Sequence, residues 1–141
     1  MYQTLVTTQN QALCHLFFHC CMKDGEFEEA ELNQISEKLV ILGLDKDLDF
    51  KNEVIQYRRY KPMLNDEKTY LQHLIYLISP VNELALFSYC IEMMISDGLL
   101  EMSEETLADN IGTILMIEPA AKEAIMKLEM QRKVIETGKI V

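Results

Sequence analysis

The chain has 141 residues, 49% of them hydrophobic and 26% charged, and a formal net charge of −10. This balance excludes a disordered chain and predicts one domain over residues 1–141, long enough to bury about two-thirds of its unfolded surface. The negative charge argues against a nucleic-acid or anionic-membrane partner, and no apolar run approaches the roughly 20 residues that span a bilayer.

Apolar residues recur at intervals of three and four almost throughout, which predicts an all-α fold. The start, Met1-Tyr2-Gln3-Thr4, has no basic region leading into an apolar core, so it reads as no secretory signal and the expected location is the cytoplasm. Thr8 and Gln11 form a capping box that opens a first helix running to about residue 22. Leu13, Leu16, Phe17, Cys20 and Cys21 share one of its faces; His15 and His19 lie on the opposite one with Met22. Cys14, Cys20, Cys21 and Cys90 make no C-x-x-C spacing and read as free core thiols of a reducing compartment.

Gly25 punctuates, and a second helix begins near residue 28 or 29 with Leu32, Ile35, Leu39 and Leu42 buried. Gly43 suits the left-handed position after its end. A third helix covers residues 46–60, with Leu48 or Phe50, then Val54 and Tyr57, as its stripe. Pro62 ends it. Asn65 caps a fourth helix over residues 66–78, with Leu71, Leu74, Ile75 and Ile78 inward. Ser79-Pro80 reads as a cap with proline at the first helical position, opening a fifth helix over residues 81–96. That helix is apolar nearly all round, as a central buried helix is. Ser103 caps a sixth, residues 104–116. Pro119 opens a seventh, running to about residue 135, with Ala121, Ile125, Leu128 and, at the margin, Met126 facing in.

One stretch occurs twice. The apolar end of the first helix runs into Lys23-Asp24-Gly25-Glu26-Phe27, with Glu31 following; that of the fifth runs into Ser96-Asp97-Gly98-Leu99-Leu100, with Glu104 following. Asp24 and Asp97 stand 73 positions apart, as do Glu31 and Glu104. Residues 24–31 and 97–109 each hold five acids and no base, and the other 13 acids are balanced by 13 lysines and arginines. The excess negative charge therefore sits in the two repeats, whose natural complement is a cation or a basic protein surface. The same offset places Leu13 on Leu86, Leu16 on Tyr89, Cys20 on Met93 and Cys21 on Met94. About seven helices are thus expected in two pseudo-symmetric halves, helices 1–3 and 5–7, joined by helix 4.

The two Asp-Gly junctions, each preceded by an apolar helix and followed by a Glu in the next, resemble the signature of the TerB-like family, named for a tellurite-resistance protein. The resemblance covers residues 12–130. It implies a symmetric all-helical domain with no enzymatic reaction, links to tellurite and chemical-stress systems, acidic metal-binding surfaces, and attachment to membrane-linked protein complexes. Lys23 and Ser96 stand where the family usually has alanine, and Lys23 sets a positive charge beside Asp24.

Two readings of the junction acids stay open. In the simpler one Asp24 and Asp97 accept backbone N–H groups in the turn, while Glu31 and Glu104 are ordinary first-turn acids. The protein is then an interaction or assembly scaffold. In the sharper one each Asp and the Glu seven residues on converge on a hard cation, Ca²⁺, Mg²⁺ or Mn²⁺, with Glu26, Glu28, Glu101 and Glu105 as auxiliary oxygen donors. An EF-hand does not fit. The Gly directly follows the Asp, and the other acidic run, from Asp45 to Asp49, has Phe50 where glycine is needed and Gln56 where the bidentate Glu is needed. His15 and His19, four apart, supply half of a zinc site at most. Glu92, in an otherwise apolar helix, needs a partner, either a hydrogen bond from Ser88 or an ion pair, with catalysis as the remaining alternative.

Overall fold

In the computed structural model, which describes residues 1–21, 28–95, 100–138 and 140, every described element of regular structure is helical. The order is α1 (Tyr2–Leu5), α2 (Gln9–Cys21), α3 (Glu29–Ile41), α4 (Phe50–Tyr60), a 3-10 turn (Lys61–Met63), α5 (Glu67–Ile78), α6 (Glu83–Met94), α7 (Met102–Ile114) and α8 (Pro119–Thr137). Among the described residues no helix is long and apolar enough to cross a membrane. The chain divides into two compact units, Met1–Pro80 and Val81–Val141.

The first unit is built around α2. Thr8 N–H donates to Gln11 Oε1 and Gln11 N–H to Thr8 Oγ1, each at 3.2 Å, closing the capping box the sequence predicts. From Ala12 to Cys21 every residue of α2 is buried, the histidine face included. Helices α3, α4 and α5 pack against it. Leu16, Phe17 and Phe18 are fully shielded, and each such side chain contributes about 1.5–3 kcal/mol of burial free energy. Helix α5 packs chiefly on α2, so the segment expected to join two halves is part of the first unit's core. In the second unit α6 carries the core, with Leu86, Phe87, Cys90, Ile91, Met93 and Met94 buried and α7 and α8 against it.

Several boundaries differ from the sequence expectation, each because a different side chain caps. Helix α4 starts at Phe50 rather than at residue 46, because Asp49 accepts from Asn52 N–H and Asp47 sits at φ 63°, outside helical backbone. Asp66, not Asn65, caps α5 through Thr69 N–H. Ser79 ends α5 at φ 46° instead of opening α6, which Asn82 caps through Ala85 N–H. Glu101, not Ser103, is the N-cap of α7. On α8, Glu129 alone is buried and Leu128 is 54% exposed, so the inward stripe expected there is rotated.

Between α3 and α7 the 73-residue offset holds in backbone geometry. Helices α3 and α7 both have 13 residues. Glu28 (φ −83°, ψ 152°) and Glu101 (φ −78°, ψ 162°) are their N-caps, and each closes a capping box with the Glu at N3. At the other end Gly43 and Met116 take the left-handed conformation, at φ 70° and 60°. The closing bonds also match: Gly43 N–H to Val40 O and Leu44 N–H to Leu39 O, against Met116 N–H to Thr113 O and Ile117 N–H to Gly112 O. The same corner is therefore made once with glycine and once with a residue that pays a steric penalty there.

This asymmetry is measurable. A Cβ added at Gly43 meets nothing within 4 Å, so Gly43→Ala tests backbone strain alone and is expected to cost about 1 kcal/mol in urea unfolding. Met116 is 88% exposed, so Met116→Gly removes strain without removing burial and is expected to stabilise by about 0.5 kcal/mol.

Candidate functional site

The described junction acids are placed by the capping boxes. Glu28 N–H donates to Glu31 Oε1 at 3.0 Å, and Glu101 N–H to Glu104 Oε1 at 2.9 Å. Glu31 is half-buried and Glu104 only 5% exposed, while Glu28, Glu101 and Glu105 lie on the surface in the first turns of α3 and α7. There the positive end of the helix dipole favours carboxylates and disfavours an added cation. Asp24, Glu26 and Asp97 lie outside the described residues. One junction belongs to each unit. Among the described residues no group of three or more His, Cys, Asp or Glu is arranged to hold a metal ion. The donor set given by the described residues alone therefore fits capping better than coordination.

The principal buried polar cluster is in the first unit, around the two histidines. His15 is fully buried. Its Nε2–H donates to Glu53 Oε1 at 2.8 Å, and its Nδ1 lies 2.6 Å from the Tyr60 hydroxyl, which bonds in turn to the Tyr70 hydroxyl. Gln11 Nε2 donates to Glu53 Oε2 at 3.3 Å. His19 repeats the arrangement four residues on, with Tyr57 at Nδ1 (2.8 Å) and Glu67 at Nε2 (3.0 Å). Burial pushes the hydroxyls of Tyr57, Tyr60 and Tyr70 well above the ordinary phenol range, so they stay protonated. The Glu53 carboxylate accepts from Nε2, and the Tyr60 and Tyr70 hydroxyls extend the chain from Nδ1. Both ring nitrogens of each histidine are engaged, which leaves no lone pair for the zinc reading. Burial likewise raises the Cys14 thiol, with the Glu53 charge adding to it, and all four cysteines are buried outside any disulfide.

The sequence signal for this network was the matching of two spacings. His15 and His19 are one helical turn apart, and so are Tyr57 and Tyr60 on α4 with Glu53 one turn earlier. Either spacing alone says little, because the partners come from different helices.

The second unit has a simpler counterpart. Ser88, 73 positions after His15, donates to Glu129 Oε1 at 2.8 Å. Glu129 is 3% exposed and also has Arg132 Nη1 at 3.5 Å. Ser88 therefore serves Glu129. Glu92 is half-buried beside Glu129, Arg132, Lys133 and Glu136, around a hollow too small for more than a water molecule.

No family model, curated protein or solved structure matches the chain.

Removing one partner of a buried pair strands the other. His15→Leu is expected to cost about 3–5 kcal/mol in chemical unfolding, because Glu53 and Tyr60 lose their shared partner. Adding Glu53→Leu is expected to return part of that loss. A double variant less stable than the sum of the two single effects contradicts the coupling.

Proposed function

We propose that the protein is a non-enzymatic TerB-like helical module that presents its two acidic Asp-Gly junctions to a basic protein surface or a divalent cation. The observation that carries this reading is the use of glutamate at both ends of both capping boxes, Glu28 with Glu31 and Glu101 with Glu104. A capping box does not require charge. Gln serves at N3 as well as Glu, and Ser, Thr or Asn serves better than Glu at the N-cap. Both copies place acids where neutral residues would cap, and both add an Asp seven residues before the N3 Glu. Recurrent charge without a backbone need for it points to recognition.

The closed state of the histidine network supports the non-enzymatic part of the reading, since His15 and His19 offer no nitrogen to a substrate. The stress-response context and the association with a membrane-linked complex rest on the family resemblance alone. The second reading, an assembly scaffold in which the acids only cap and solubilise, is favoured by the backbone N–H groups already bound to Glu31 and Glu104.

Gln substitution separates the two, because it keeps the cap and removes the charge. On the cation arm, calorimetry and thermal shift with Ca²⁺, Mg²⁺ and Mn²⁺ show binding that raises Tm by mass action. Asp97→Asn and Glu104→Gln are expected to abolish the shift with the fold intact. If no ion gives heat or a shift, the cation arm fails. Binding of a Lys/Arg-rich peptide that Glu31→Gln and Glu104→Gln weaken then supports the basic-partner arm, and no binding of either leaves the scaffold.

A further inference from the structure

We propose that the outer face of α8 pairs antiparallel with α8 of a second copy of this chain, an interface independent of the acidic junctions. The Ser88–Glu129 bond sets the rotation of α8. It turns Glu129 inward, with Lys122, Met126, Met130 and Lys133 half-buried beside it. The opposite face then carries Ala124, Leu128, Gln131 and Ile135, all exposed. Leu128 is 54% exposed, its neighbour Val134 54% and Ile135 78%. Their spacing of four, three and four is that of a coiled-coil seam, which a lone helix facing water does not need.

The face is complementary to itself in one direction only. Antiparallel pairing sets Ala124 opposite Ile135 of the second copy, small against large, and Leu128 opposite Gln131 about the two-fold axis. At the flanks Lys127 then lies beside Val134, and Ile125 beside Arg132, so no like charges meet. Parallel pairing instead sets Lys127 beside Arg132, a repulsive contact. Charge over longer range agrees with this. Helix α8 holds four bases and three acids in a chain of net charge −10, so it carries none of the excess negative charge that would drive two copies apart.

Light scattering across a concentration series is expected to show the mass rising from 16.4 kDa towards twice that value. Ile135→Glu is expected to hold it at the monomer value with unchanged helical circular dichroism. If that variant does not fold, Leu128→Gln, a polar change at an exposed site, takes its place. Mild oxidation of an equimolar mixture of L128C and Q131C chains is expected to give a cross-linked heterodimer, while each variant alone gives none; the native thiols are buried. A monomer at every concentration to about 1 mM, where even a −4 kcal/mol association is half formed, overturns the proposal. So does a dimer that survives both surface variants, or a cross-link formed by L128C alone, which means parallel pairing.

Discussion

One buried glutamate on α4 and one on α8 must each be met by polar groups. Glu53 and Glu129 are 4% and 3% exposed, and a carboxylate that deep costs several kcal/mol unless donors surround it. His15 and Gln11 serve Glu53; Ser88 and Arg132 serve Glu129. His15 and Ser88 stand 73 positions apart, the offset of the repeated sequence motif. These pairs fix the rotation of α4 and α8, and with it which side chains face the core and which face water.

Both units carry such a glutamate, 76 positions apart rather than 73, and meet it differently. In the first, the imidazoles link α2 to tyrosines of α4 and α5, and a polar chain runs through the core. In the second, a hydroxyl and a guanidinium reach the buried carboxylate, and Phe87 with sulfur and aliphatic side chains fills the core of α6. The third helices also start at different points, α8 at Pro119 and α4 only at Phe50, because the left-handed Asp47 delays the latter. The corner between the second and third helices is the best-preserved part, down to matching hydrogen bonds.

What the sequence revealed follows the range of the interaction. The Thr8–Gln11 box, the stripe of α5, the left-handed Gly43 and the opening Pro119 are set by neighbours within four residues, and all appear where the pattern puts them. The sequence pattern does not decide between caps that compete within three positions, as Asn65 and Asp66 do, or Ser79 and Asn82. The histidine face of α2 reads as a polar side from periodicity, yet it is buried, because its partners lie 38 to 48 residues away. Leu128 reads as core for the converse reason: the anchor that turns it outward is Ser88, 41 residues from Glu129. The carboxylate pairing at Glu28–Glu31 and Glu101–Glu104 is local, and so the acidic junctions were legible as a repeated motif. Whether Asp24 and Asp97 join them lies outside the described residues.

The stretch between α5 and α6 has a practical consequence. Ser79 terminates one helix in a left-handed turn, Val81 is fully exposed, and Asn82 begins the next helix with its own side-chain cap. None of the buried pairs named above straddles this point. It is therefore a natural place to open the polypeptide, by inserting a reporter, grafting a cleavage sequence or moving the termini, while each half keeps its own anchors.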